Sequence, residues 1–258
     1  MMNELLKIGS FTVYGYGLMI AIGIAAAYLV AEYRAKKMNL DQERIFALTG
    51  WCVIGGVIGA KLLFYITEIK EIISNPRIML NIADGFVIYG GIIGGIIAGF
   101  LYCRKAKLDI LKYFDLMIPS VALAQGFGRM GCFLAGCCYG IETTSPIGIV
   151  FHDSAFAPNG VHLVPTQLIS SGLNFLNFFA LIIFAKYKKA DGQVVGLYLI
   201  FYSAGRFIIE FFRGDLIRGK IGDLYTSQFI SIFMFAIGCA IFLASAYSVK
   251  KKGKNVNS

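Results

Sequence analysis

The sequence predicts an all-α, polytopic integral membrane protein of about seven transmembrane helices, with its N-terminus outside and its C-terminus in the cytoplasm. Three observations carry that expectation. Apolar residues make up 57% of the 258 residues and charged residues only 15%, against roughly 25% charged in an ordinary soluble domain, and the mean hydropathy is +0.70. The apolar residues come in blocks of helix length, not in the alternation of strands. The lysines and arginines sit in short runs between those blocks and favour one set of connections. The net charge of +9 is therefore topology information, and no basic stripe is present that would make nucleic acid a partner.

The first block, 13–33, begins just after Phe11. It lacks a basic leader and a small-residue cleavage site, so a retained helix is expected and no cleavable signal peptide. The second, 45–66, carries Gly55, Gly56 and Gly59 and then Lys61. The third, 85–103, carries Tyr89, Gly90, Gly91, Gly94, Gly95 and Gly99. Glycines at this spacing let helices approach closely in lipid; for Gly90 and Gly91 a sharper reading is that a lipid headgroup approaches bare backbone. The fourth block, 111–127, is short and contains Asp115 and Pro119. A long outer-side segment, 128–165, follows, and its first part is apolar enough to re-enter the membrane edge on protein-covered backbone. Blocks 166–185, 194–212 and 227–247 complete a single membrane domain, 1–258, with no repeat that would argue an inverted-repeat transporter.

Orientation follows from the basic residues. One side collects Arg34, Lys36, Lys37, Arg44, Arg104, Lys105, Lys107, Lys112, Lys186, Lys188, Lys189 and the tail lysines 250, 251, 252 and 254. The other holds Lys7, Lys70, Arg77, Arg213, Arg218 and Lys220. The richer side is cytoplasmic.

Ionisable groups inside a bilayer are costly and mark function. With this orientation Tyr202, Arg206, Glu210 and Arg213 occupy the outer half of the sixth block, at spacings that share one helical face. Glu210 can neutralise and orient Arg206 or Arg213; a purely structural ion pair, with Arg213 snorkelling to the interface, is the plainer alternative. Lys61, Tyr89, Arg129 and Tyr16 fall at the same outer depth on other elements. Arginines there suit a phosphate, because the guanidinium fork donates two hydrogen bonds and stays charged. The pattern points to an anionic lipid headgroup. The inner halves of the blocks hold almost no ionisable groups, which counts against a transporter or sensor of anionic solutes.

Cys132, Cys137 and Cys138 form a C-x4-C-C cluster, whereas Cys52, Cys103 and Cys239 lie within blocks as small apolar packers. A disulfide, a soft metal or a covalent carrier are all open for the cluster. Packing or a disulfide is favoured and no metal is expected, since no adjacent His or second CxxC pair accompanies it. His152 and His162 read as solvated loop histidines.

Residues 128–140 (GRMGCFLAGCCYG), 89–94 (YGGIIG) and 202–213 (YSAGRFIIEFFR) resemble the prolipoprotein diacylglyceryl transferase family. So do 16–19 (YGLM), 59–62 (GAKL), 165–168 (PTQL) and the RGD…TSQ passage into the last block. The resemblance spans nearly the whole chain in order. It implies a bacterial cytoplasmic-membrane enzyme, without cofactor, that moves a diacylglyceryl group from phosphatidylglycerol to the lipobox cysteine in the signal peptide of a prolipoprotein. By resemblance Arg129 and Arg206 grip the phosphate, Glu210 and Arg213 ion-pair on the same helix, and Tyr16 and Tyr202 line the headgroup cavity. Lys61, Gly90, Gly91 and Gly140 join them at the substrate. Three departures stand out. Tyr89 occupies the place of a histidine proposed to assist thiol deprotonation, and a phenol titrating near 10 is a poor base, so Tyr89 is expected to orient substrate. Cys132 and Cys137 stand where many relatives carry Asn and Glu. Lys61 replaces a common arginine, keeping charge but losing the fork. A relative that lipidates a different acceptor is the alternative these departures suggest.

Overall fold

The computed structural model describes residues 4–8, 11–80, 85–215 and 219–256. Among them helix dominates: α1 (Gly15–Lys37), α2 (Gln42–Thr67), α3 (Ile69–Ser74), α4 (Ile88–Lys105), α5 (Ile110–Ala135), α6 (Thr166–Tyr187), α7 (Gln193–Ile209) and α8 (Thr226–Val256). Five helical stretches are long and apolar enough to cross a membrane: α1, α2, α6, α7 with its following 3-10 turn, and α8. The other two long helices are interrupted by charge. Arg104 and Lys105 end α4, and α5 contains Lys112, Asp115 and Arg129 as well as Pro119. Large apolar side chains stand exposed along these helices, among them Phe46, Ile54, Ile93, Leu176, Phe179 and Leu243. Such surface is a liability in water and natural against lipid tails.

The differences from the expected blocks follow from local backbone chemistry. The N-terminal residues pair as a hairpin of β1 (Glu4–Ile8) and β2 (Phe11–Tyr14), so α1 starts at Gly15 rather than at 13. α5 runs to Ala135, well beyond the expected 127, which puts Arg129 on a helix and not in the following loop. The segment after it is anchored by β3 (Ile149–Val150) paired with β4 (His162–Leu163), over a small core of Phe151, Ala157 and Leu163. α7 tightens into a 3-10 turn at Glu210–Phe212, and a last hairpin, β5 (Lys220–Ile221) with β6 (Leu224–Tyr225), leads into α8. Arg218, one of the residues that set the orientation, lies outside the described residues.

The chain divides into two compact units, residues 31–113 and residues 1–30 with 114–258. The 31–113 unit is built on glycine. A Cβ added to Gly59 would lie 2.4 Å from the Gly90 carbonyl oxygen, and one on Gly94 would lie 2.2 Å from that of Gly55. α2 and α4 therefore meet backbone to backbone, which supplies the dispersion contact that replaces hydrophobic burial in lipid. Any larger residue at Gly55, Gly59, Gly90 or Gly94 would drive them apart.

In the larger unit α7 and α8 cross at Gly196 and Gly238, where an added Cβ at either meets the other's carbonyl at 2.9 Å. Its core includes Ala122, Leu181, Val194 and Tyr198. Asp115 clamps one end. The carboxylate is fully buried and accepts from Lys188 Nζ and from the backbone N–H groups of Gly192 and Val195, each at 2.9 Å. It ties α5 to the α6–α7 turn and satisfies N–H groups that the first turn of α7 leaves open.

Candidate active site

The larger unit gathers its functional side chains at the end where α6 starts and α7 stops. α5 and α7 present matching rungs at four-residue spacing. Tyr198 donates to Gln125 Oε1 at 2.9 Å, the rings of Tyr198 and Tyr202 stack at 5.7 Å, and Arg129 lies within electrostatic reach of Tyr202. The next rung of α7 is Arg206, whose Nη2 lies 2.8 Å from Glu210 Oε2. Glu210 is almost completely buried. Arg213 approaches the same carboxylate oxygen at 3.7 Å but directs its fork at Asp215, through Nε at 2.9 Å and through Nη2. Arg206 is within electrostatic reach of both Arg129 and Arg213. Among the described residues, three guanidiniums gather beside the Glu210 and Asp215 carboxylates and the Cys138 thiol, in surroundings where screening by water is weak.

A pocket opens beside these charges, lined by Arg129, Arg206 and Tyr202 from α5 and α7 and by Ser170, Asn174 and Asn177 from α6. The α6 residues went unrecognised in the sequence, although they recur at helical spacing in an otherwise apolar span, itself a mark of function. Asn174 donates to the Ser170 carbonyl at 2.8 Å. Asn177 is 6% exposed, and neither atom of its amide finds a partner. An orphaned amide in such a place is expensive unless a ligand satisfies it. Asp215 was missed too, because its pairing with Arg213 depends on the chain turning out of α7.

The cysteines come together for a reason readable in the backbone. α5 ends in a Schellman motif: Cys137 N–H donates to the Cys132 carbonyl at 3.1 Å and Gly136 N–H to that of Phe133 at 3.1 Å. Gly136 takes the left-handed conformation (φ +76) this requires. The motif folds Cys137 back over Cys132, which is what a C-x4-C spacing does at a helix end. Cys138 is also left-handed (φ +57), and the start of α6 holds the turn. Thr166 Oγ1 donates to the Cys138 carbonyl and Gln167 Nε2 to that of Cys137, both at 2.8 Å. The three sulfurs lie within 4.8 Å of one another, and all three thiols are free. Hydrogen bonds from Cys132 and Cys137, aided by Arg213 and Arg129, hold the Cys138 thiol well below the usual thiol range despite its burial. As a chemical set, these are the side chains of the site that could hold a soft metal ion.

The remaining sequence candidates divide between the units. Tyr16 packs on Gly131, where an added Cβ would sit 3.1 Å from its ring, and Arg129 and Cys132 act on it electrostatically. Gly140 stitches the cysteine segment to the end of α7. It donates to the Val164 carbonyl at 3.1 Å and pairs with Arg213, while Ile141 N–H reaches the Phe212 carbonyl at 2.9 Å; an added Cβ would strike Val164 at 2.3 Å. In the other unit Lys61 lies over the rings of Phe64, Tyr65 and Phe86 at 5.1–5.2 Å, an aromatic cradle that stabilises its ammonium. Tyr89 is 40% exposed at the start of α4. Gly90 and Gly91 face the backbone of α2, which is the close-approach reading of those glycines.

The sequence model of the family described as prolipoprotein diacylglyceryl transferase matches residues 3–244. A protein of Clostridium tetani named phosphatidylglycerol–prolipoprotein diacylglyceryl transferase is 50% identical over 238 residues, 92% of this chain and 95% of its own. One of Clostridium perfringens, named as the second such transferase of that organism, is 44% identical over 92% of each chain. A third, of Clostridioides difficile with the same name, is 32% identical over 96% of this chain and 98% of its own.

Proposed function

The chain belongs to the prolipoprotein diacylglyceryl transferase family, and on that premise we propose that it transfers the diacylglyceryl group of phosphatidylglycerol to the lipobox cysteine thiol of a prolipoprotein, releasing glycerol phosphate. The observation that carries this reading is the pocket lined by both Arg129 and Arg206, with the Arg206 guanidinium already oriented by Glu210.

The reaction changes charge in one place. The acceptor sulfur attacks the glycerol carbon that bears the phosphate, a C–S bond forms, and the C–O bond breaks with its electron pair going to the phosphate oxygen. A phosphodiester monoanion becomes a phosphate monoester that carries more negative charge. Cations fixed beside that oxygen gain interaction energy as the bond breaks, so they favour the transition state over the bound lipid. Glu210 keeps Arg206 from swinging into solvent and commits only one edge of its fork, leaving the other donors for the lipid. Asp215 does the same for Arg213, which sets the rim of the site. The orphaned Asn177 amide lies on the acyl-chain side of the arginines, eleven residues or roughly 16 Å along α6 from its start, and suits a polar group of the lipid.

The surrounding arrangement is a multi-pass protein of the cytoplasmic membrane with seven spans, the N-terminus outside, and Tyr16, Lys61, Tyr89 and the arginines at the outer leaflet. The basic runs Arg34–Lys37 and Arg104–Lys112 and the lysine-rich tail support that orientation. Tyr89 orients substrate and does not act as base. The deciding experiment incubates the purified protein with phosphatidylglycerol vesicles and a lipobox peptide, beside the same peptide with serine for cysteine. A thioether-linked diacylglyceryl product on the cysteine peptide alone is expected; a folded preparation that makes none refutes the proposal.

A further inference from the structure

We propose that Cys132, Cys137 and Cys138 form a three-thiolate zinc site whose fourth position takes the acceptor thiol and ionises it. The ion-binding half stands on the cluster alone, and the acceptor half rests on the transferase reading.

The geometry fits the ion. Tetrahedral zinc with Zn–S bonds near 2.3 Å sets its sulfurs about 3.8 Å apart. The three sulfurs here already lie within 4.8 Å, about 1 Å from that spacing at most. The backbone is in turn held by the helix-ending motif, by Thr166 and by Gln167. Sequence spacing argued against a metal because no histidine or second pair of cysteines flanks the motif. The fold answers that objection by supplying three ligands from a single helix end, and three protein ligands with one open position is the pattern of a zinc site that does chemistry and not one that only braces a fold.

The charge also fits. Zinc with three thiolates carries one negative charge, and Arg129 and Arg213 act electrostatically on Cys138. A fourth, neutral thiol entering the open position loses its proton to solvent, because a coordinated thiol is deprotonated outright.

The reaction needs such a group. A thiol with a reference pKa near 8.5 is only a few per cent ionised at neutral pH. The described residues lining the Arg129–Arg206 pocket include no histidine, aspartate or glutamate, and Glu210 is engaged by Arg206. Zinc-held sulfur then forms the C–S bond, the C–O bond to phosphate breaks with its pair, and glycerol phosphate departs. The thioether product is a far weaker ligand than a thiolate and leaves the ion. No oxidant or reductant enters the balance.

The test uses the full chain in phosphatidylglycerol-containing micelles. Metal analysis and zinc titration should find one ion per chain, and cadmium should give thiolate-to-metal charge-transfer absorption. Cys132→Ser and Cys138→Ser should each lower zinc affinity at least tenfold, with Cys239→Ser as the control that does not. Chelator-stripped protein should lose at least tenfold in transfer rate at neutral pH, recover on adding zinc, and recover in part without zinc as the pH rises past the thiol's own pKa. Zinc binding that is the same in wild type and in a triple Cys→Ser variant overturns the site. Tight binding with a transfer rate indifferent to stripping overturns the acceptor role. A zinc-loaded protein that never forms thioether points to failure of the transferase reading, which the binding arm keeps separate.

Discussion

Replacing Arg206 by lysine keeps the charge and removes the fork, so it isolates what the guanidinium does. One nitrogen of Arg206 is spent on Glu210 at 2.8 Å, and the others are free to meet a phosphate beside Arg129. A lysine offers a single ammonium, and it must choose between the buried Glu210 and the lipid. If it stays with Glu210, the phosphate loses one charge-assisted hydrogen bond, worth about 1.5–3 kcal/mol. At about 1.4 kcal/mol per factor of ten, kcat/KM for phosphatidylglycerol should fall roughly 10- to 150-fold. Because the interaction strengthens as the leaving phosphate gains charge, most of that loss should fall on kcat. The assay is thioether formation on a lipobox peptide over a range of phosphatidylglycerol mole fractions, with thermal unfolding in detergent to confirm an intact fold. A lysine variant within threefold of wild type in kcat/KM would refute the forked grip.

Four further outcomes follow from particular contacts. Asp115→Ala leaves the N–H groups of Gly192 and Val195 without their buried acceptor, while Lys188 keeps Asp191 at 2.6 Å; thermal denaturation should show a loss of about 2–3 kcal/mol, and an unchanged midpoint would deny the clamp. Asn177→Leu removes an orphaned buried amide, so the resting protein should be as stable or more stable by about 1 kcal/mol while KM for phosphatidylglycerol rises several-fold; unchanged KM would separate Asn177 from the lipid. The lowered Cys138 thiol is deprotonated at lower pH than a free cysteine, so iodoacetamide should still label it in metal-free protein at about pH 6, below the reference thiol pKa near 8.5. Labelling by mass spectrometry that falls off as for a free thiol would contradict the depression. Tyr89→Phe should retain turnover within about fivefold, since a phenol near pKa 10 contributes little as a base; a loss of several hundredfold would make its hydroxyl a participant in the chemistry.

Much of the site is legible in the order of residues along the chain. Arg206, Glu210 and Arg213 share a face because one helix carries them at short spacing, and the ion pairs at 2.8 and 3.7 Å follow that spacing. How the helix ends is not legible there. The 3-10 turn at Glu210–Phe212 swings Arg213 out toward Asp215, so its fork closes there and not on Glu210. The same holds at α5, where the expected boundary at 127 missed Arg129 as a helical residue. The apolar pattern fades at Gly128, yet the backbone continues as helix until Gly136 supplies a left-handed cap.

Sequence alone decided the solvent and the cast of charged groups. Hydropathy is a sum over neighbours in the chain, and a helix satisfies its own backbone polar groups wherever it lies, so long apolar blocks and the rare cations within them are local facts. The tertiary structure decided which groups share a site. Asn174 and Asn177 matter because α6 packs beside Arg129 and Arg206. The cysteine cluster is local, set by its spacing at a helix cap, but Thr166 and Gln167 at the start of α6 hold it in place. Contacts of that kind depend on where separate elements come to rest against each other, and no periodicity within a single element encodes it.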